Sequence, residues 1–290
     1  MQVLDERISG KTNLLGLLGR PIERSLSPLI HNTSAKLLGL DYSYVPLASR
    51  STDIEQSHLV TLAHLGFMGL NITVPFKEAV ANLLPENALK SVNTLKWCEK
   101  RNRWLAYSTD GEGFLLGLEQ IVSTSIIKKA IILGNGGAAL ACYDALAKCS
   151  HISSIVILRR NLSRDVQFAN SKNISLHFAD FDPVSFAAEL TKNPRETLVV
   201  QASSAPMQGN NLKHFAQQLV RETAAVVDIT YGYETDLLKR AEQLGIAHQN
   251  GVAMLVGQAL AAQKIWWGKS ADFKMIYSAV RTSVDTSIKK

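Results

Sequence analysis

The chain has 290 residues, 46% hydrophobic and 19% charged, with a formal net charge of +6; that is longer than a typical single domain and enough for two, each with its own core. The positive balance suits small anionic ligands, but the basic residues are scattered without a long run, which argues against nucleic acid as a partner. The most apolar stretch, Val252 to Ala262, is too short to span a bilayer and contains Gln258, so no membrane role is expected.

In chain order, Leu14 to Leu18 reads as a strand. Ser27 followed by Pro28 reads as an N-cap with proline in the first helical position, opening a helix to Leu38. If Ser25 to Ser27 is extended, both hydroxyls point one way, toward the positive end of that helix, where a small carboxylate is stabilised. A plain capping serine accounts for Ser27 and leaves Ser25 unexplained. Tyr42 to Pro46 reads as a strand, Ile54 to Leu65 as a helix, and Leu70 to Val74 as a strand that Pro75 ends for lack of an N–H. Polar residues therefore gather at a strand end, with Lys77 just beyond and Asp110 opening the later turn Thr109-Asp110-Gly111. A lysine and a carboxylate so placed can form a proton-transfer couple; the two also read as a surface lysine and a helix-capping aspartate.

The run Ala130 to Leu133 breaks into Gly134-Asn135-Gly136-Gly137-Ala138-Ala139 and then a helical pattern from Leu140 to Ala147. This is strand, phosphate loop, helix: Gly134 permits the tight turn, Gly136 lets backbone approach a pyrophosphate, and Ala139 allows close helix packing. The next strand, Ser154 to Leu158, ends in Arg159, Arg160 and Arg164 with no acidic residue to hold ribose hydroxyls, which selects NADP over NAD. A solvated basic turn is the alternative for any one arginine. Trp266 and Trp267 are expected to belong to helix packing. Cys98, Cys142 and Cys149 have no metal-ligand spacing, His31 and His151 read as surface or core residues, and no metal is expected. An odd number of thiols, three, and the absence of a signal-peptide pattern at the start lead to the expectation of a cytoplasmic protein.

Taken together, Ser25 to Pro28, Asn71 to Lys77, Val92 to Thr94, Thr109 to Gly113, the loop at Gly134 and Gly251 to Ala259 resemble, in this order, the shikimate dehydrogenase family over nearly the whole chain. The resemblance implies an α/β chain of two domains: residues 1–109 as a substrate-binding catalytic domain on which a helical segment, 251–290, packs back, and residues 110–250 as a Rossmann-like NADP-binding domain, with the active-site cleft between them. It implies NADP-dependent reversible reduction of 3-dehydroshikimate to shikimate in aromatic amino-acid (chorismate) biosynthesis, by a monomer or homodimer. Lys77 and Asp110 would be catalytic. Ser25, Ser27, Asn71, Thr73, Asn93, Tyr231 and Gln258 would bind substrate or orient neighbours. Gly134, Asn135, Gly136, Gly137, Ala138, Ala139, Arg159, Arg160, Arg164, Ser203, Ile229 and Gly251 would bind the cofactor.

This chain departs from the family pattern in places. Arg159-Arg160-Asn161 stands where Asn-Arg-Thr is usual, and Gln201-Ala202-Ser203-Ser204-Ala205-Pro206 replaces Asn-Ala-Thr-Ser-x-Gly, changing a side-chain length and fixing one φ near the nicotinamide end. Two other functions stay open: a quinate/shikimate dehydrogenase of broader substrate or NAD use, and a catalytically silent ligand sensor. Retention of Lys77 and Asp110 argues against the sensor, and the arginines against NAD.

Overall fold

A computed structural model describes residues 8–84, 86, 88–159, 168, 174–180, 193–210, 212–232 and 234–288. The chain divides into two compact units, Met1–Thr109 with Gln258–Ser283, and Asp110–Gly257 with Val284–Lys290.

The first unit is built on a five-stranded sheet of order β2-β1-β3-β4-β5. Its strands are β1 (Asn13–Gly19), β2 (Tyr42–Ala48), β3 (Phe67–Ile72), β4 (Thr94–Cys98) and β5 (Arg103–Tyr107), with helices α1 (Ser27–Leu37), α2 (Gln56–His64) and α3 (Lys77–Leu83) between them. β1, β2 and β3 run parallel, while β4 and β5 return antiparallel. Both faces are covered. Leu18, Leu70, Ile72 and Leu95 pack with Leu59 and Ala63 of α2 and Val80 of α3, while Leu15, Leu17 and Tyr44 pack with Ala262 and Trp266. Burial on both faces explains why β3 is apolar almost throughout and does not alternate inside and outside. β3 also ends at Ile72, two residues before the expected Val74. The outer strand β2 is blunted against further pairing: the Asn32 amide donates to the Tyr44 carbonyl at 2.9 Å and accepts from the Tyr44 N–H at 2.8 Å. Pro46 has no N–H to offer.

The second unit holds a six-stranded, all-parallel sheet of order β11-β10-β9-β6-β7-β8. These are β6 (Lys129–Leu133), β7 (Ser154–Arg159), β8 (Ser175–Asp180), β9 (Thr197–Gln201), β10 (Ala225–Asp228) and β11 (Ala247–Gln249), and the described helices include α4 (Asp110–Leu118), α5 (Gly137–Leu146), α6 (Lys213–Leu219), α7 (Asp236–Gln243) and the start of α8 (Val252–Trp267). Counted from β6, the spatial order is the doubly wound 6-5-4-1-2-3, with the order reversing between β6 and β9. The apolar runs supply two cores at once. Ala130 and Ile132 of β6 face α4 and α5 with Leu198, Val200, Ala225 and Val227, whereas Ile131 and Leu133 face α6 and α7 with Val199 and Val226.

Candidate active site

At the carboxyl edge of the first sheet a buried polar network replaces the apolar core. Asn71 is 4% exposed and Asn93 3% exposed. Tyr44 donates its hydroxyl to Asn71 Oδ1 at 2.8 Å, and Asn71 Nδ2 donates to Thr94 Oγ1 at 3.0 Å and to the Asn93 carbonyl at 3.1 Å. Asn93 Nδ2 donates to Thr109 Oγ1 at 3.0 Å, and the Thr109 N–H returns to Asn93 Oδ1 at 2.8 Å. Buried polar groups satisfied in this way rigidify what they join. Here they join Tyr44 near the start of β2, Asn71 near the end of β3 and Thr94 at the start of β4 to the residue that precedes Asp110.

Ser27 is buried beside this network, and its hydroxyl faces Tyr44, whose phenol burial drives well above its ordinary range, the Ser27 contact offsetting part of that. Two expectations about this segment are corrected. Leu26, not Ser27, is the N-cap of α1, and Ser27 is its first helical residue. Leu26 has φ −90° and ψ −1°, so the segment turns where it was expected to extend. The turn aims the Ser27 N–H at Ser25 Oγ, 3.3 Å away, which gives Ser25 a structural partner.

Thr73 follows β3 directly, its N–H bonded to the Leu18 carbonyl at 3.0 Å. Lys77 opens α3, half-buried, between the core plug Phe76 and the Val92 N–H, which donates to the Lys77 carbonyl at 3.1 Å. A cation at a helix N-terminus opposes the helix dipole, so stability alone does not favour lysine there. Gln258 belongs to this unit, and Asp110 and Tyr231 to the other. Burial raises the Tyr231 phenol. Asp110 opens α4, and its charge, after burial, helps push the Cys142 thiol of α5 up and out of reach of reaction.

His31, read from the sequence as a surface or core residue, lies in the core. It is 0% exposed, stacked on Tyr44 at 4.3 Å between ring centroids and flanked by Trp266 at 5.1 Å. Neither ring nitrogen reaches a partner in hydrogen-bonding geometry among the described residues, and desolvation lowers its pKa to about 3 although the Asn71 amide nearby works the other way. Sequence reasoning missed Tyr44, Thr94 and Thr109 as members of the network. Thr94 and Thr109 stand in the segments Val92 to Thr94 and Thr109 to Gly113 that carry the resemblance, which is the local signal available; Tyr44 carries none.

In the second unit Gly134 has φ +118°, a conformation that glycine tolerates best, and α5 begins at Gly137 with Gly136 as its N-cap. A Cβ built on Gly136 or Gly137 meets nothing within 4 Å, so the loop presents bare backbone to open space, the shape a pyrophosphate needs. Ala139 is fully buried. Arg159 ends β7 with its guanidinium carbon 4.5 Å from the centroid of the Phe178 ring. Arg160 and Arg164 lie outside the described residues. Ser203 follows β9, Ile229 follows β10, and the Gly251 N–H bonds the Thr230 carbonyl at 2.9 Å. These residues fit a dinucleotide phosphate. Among the described residues no group of His, Cys, Asp and Glu could hold a metal ion, and no helix is long and apolar enough to cross a membrane. An open depression of about 520 Å³, lined by Arg20, Pro21, Glu23, Ala48, Ser49 and Arg50, lies at the same sheet edge of the first unit and includes none of the expected site residues.

Residues 17–95 match the family model described as the shikimate dehydrogenase substrate binding domain. A curated NADP(+) shikimate dehydrogenase of Trichormus variabilis is 34% identical over 278 residues, covering 89% of this chain and 92% of the relative. Among solved structures, shikimate dehydrogenase of Aquifex aeolicus is similar with a TM-score of 0.80 at 28% identity, over 94% of this chain and 99% of that one. A shikimate dehydrogenase in complex with NADP+ is similar with a TM-score of 0.77 at 28% identity, over 96% and 97% of the two chains.

Proposed function

The chain belongs to the shikimate dehydrogenase family, and from that premise we propose how its residues divide the work of NADP-dependent reversible reduction of 3-dehydroshikimate to shikimate. The observation that carries the reading is the polar network at the first sheet edge, a set of buried amides and hydroxyls that core packing does not require.

Substrate binding is assigned to residues 1–109 and NADP binding to residues 110–250. Ser25 and Ser27 receive the substrate carboxylate with Tyr231, while Thr73, Asn93 and Gln258 meet ring hydroxyls. Asn71, whose amide is occupied by Tyr44, Thr94 and Asn93, orients its neighbours. Bound in its reduced form, NADPH, the cofactor would supply the hydride for reduction, and in its oxidised form, NADP+, it would accept one in oxidation. The proton comes from the protein. Lys77 as ammonium donates it to the developing alkoxide in reduction and accepts it in oxidation, with Asp110 orienting Lys77 and a substrate hydroxyl. Gly134 to Ala139 cradle the pyrophosphate, Ser203, Ile229 and Gly251 line the remainder of the cofactor site, and Arg159, Arg160 and Arg164 receive the 2′-phosphate. The reading includes a cytoplasmic location and a monomer or homodimer.

A steady-state assay of purified protein with shikimate and quinate against NADP and NAD tests the reading. Turnover of shikimate with NADP is expected. Preference for quinate or for NAD would move the function to a quinate/shikimate dehydrogenase, and binding without turnover would make the protein a sensor.

A further inference from the structure

β9 and β10 lie side by side with Gln201 opposite Asp228, and each strand ends on a polar residue that is 0% exposed. Such side chains destabilise the fold unless bonded. Both bond the residue two positions on, although Asp228 Oδ2 has no partner in hydrogen-bonding geometry among the described residues. Gln201 Oε1 accepts from the Ser203 N–H at 2.9 Å and from Ser203 Oγ at 2.8 Å, and its Nε2 donates to the Ser203 carbonyl at 2.9 Å. Asp228 Oδ1 accepts from the Thr230 N–H at 2.9 Å and from Thr230 Oγ1 at 2.6 Å. In each case a strand-terminal side chain closes over the residue two positions on and fixes the first turn of the loop.

Two glycines of the cofactor site rest on these turns. A Cβ on Gly134 would lie 2.9 Å from the carbonyl carbon and oxygen of Ala202 and from the Ser203 nitrogen, and a Cβ on Gly251 would run into the Ile229 carbonyl. The first contact is between the loop ends of β6 and β9, the pair at which strand order reverses and where doubly wound sheets bind their ligands. A turn that shifted by a few tenths of an ångström would displace the glycine backbone against it.

We propose that Gln201 and Asp228 are positioning residues for the dinucleotide: paired clamps that hold residues 202–203 and 229–230 in the shape on which Gly134 and Gly251 seat, setting NADP affinity without touching NADP. This rests on the NADP reading above. It also gives the departure at Gln201 a role, since the amide spans both the N–H and the carbonyl of Ser203.

The test is calorimetric titration of the full-length protein with NADP and, separately, with shikimate, in Gln201→Leu, Asp228→Leu, Asp228→Asn and Val199→Ala. Val199 is a buried β9 residue whose side chain makes no hydrogen bond, so its truncation reports general destabilisation. Gln201→Leu and Asp228→Leu are expected to raise the NADP Kd by about tenfold or more, with the shikimate Kd within about twofold. Asp228→Asn keeps the acceptor for Thr230 and is expected to restore NADP affinity to within about threefold of wild type. Val199→Ala is expected to lower Tm and leave the NADP Kd in place. Wild-type NADP affinity in a folded Gln201→Leu, or a loss in Val199→Ala as large as in Gln201→Leu, would overturn the proposal. Should Gln201→Leu fail to fold, Thr230→Val, which deletes only one hydroxyl arm, must raise the NADP Kd by about threefold, and an unchanged value overturns the clamp. A wild-type protein that does not bind NADP would sink the functional reading itself, which separates the two failures.

Discussion

Tyr44 donates its hydroxyl to Asn71 Oδ1 across 2.8 Å inside the first unit, 27 residues apart in the chain. The bond occupies an amide that the motif around Lys77 assigns to substrate, and it makes Asn71 a strut for Asn93 and Thr94. Tyr44→Phe is expected to cost about 1 to 3 kcal/mol of stability, the penalty for leaving the buried Asn71 acceptor without its donor. Urea unfolding measures it; an unchanged midpoint would mean the network does not rely on Tyr44.

Lys77→Ala is expected to cut turnover by about 10² to 10⁴ while shikimate binding stays measurable by calorimetry. Full activity in this variant would remove Lys77 from proton transfer.

Replacing both Ser25 and Ser27 by Ala is expected to raise the KM for shikimate and leave that for NADP nearly unchanged, since a hydrogen bond to a charged group contributes about 1.5 to 3 kcal/mol. Ser25 Oγ also accepts the Ser27 N–H, so Tm is compared alongside. An unaltered shikimate KM in a folded double variant would place the carboxylate elsewhere.

Arg159 rests over Phe178 at 4.5 Å, which holds the guanidinium at the strand end. NADP is expected to be preferred over NAD by about tenfold or more, equivalent to about 1.4 kcal/mol, and the gap should narrow as salt rises. Arg159→Ala and Arg160→Ala should each weaken NADP more than NAD, with Phe178→Leu moving the ratio less. Equal use of both cofactors by the wild type would defeat the arginine argument.

His31 ties stability to pH. Its folded pKa is lowered from 6.5 to about 3, by desolvation above all. The stabilisation is complete above pH 6.5. Below that the unfolded chain takes up a proton the folded chain refuses, so stability falls with pH toward about 3, by up to about 1.4 kcal/mol per pH unit from this group. His31→Phe keeps a ring against Tyr44 and removes the proton. Its unfolding free energy, measured from pH 7 to 5, should be flatter than that of the wild type; parallel curves would show that the imidazole is not held neutral.

Much of this molecule is written in local sequence. The apolar runs Ala130 to Leu133 and Ser154 to Leu158 call for a parallel sheet buried on both faces, and glycines at 134 and 136 followed by a helical pattern mark the phosphate loop; both are near-neighbour effects of side-chain period and backbone freedom. The expectation for Ser27 failed for a reason equally local. Leu26 takes the helical cap geometry itself, so the serine that looks like a cap enters the helix. Other features arise only when distant segments meet. His31 is buried because Trp266, from the far end of the chain, closes over it, and the Asn71 amide oxygen is engaged because β2 brings Tyr44 to it. Gln201 and Asp228 become a pair because β9 and β10 align in register. A polar residue in sequence declares only what it can bond; which bonds it makes, and whether any are left for a ligand, is decided by the tertiary contacts that desolvate it and present its partner.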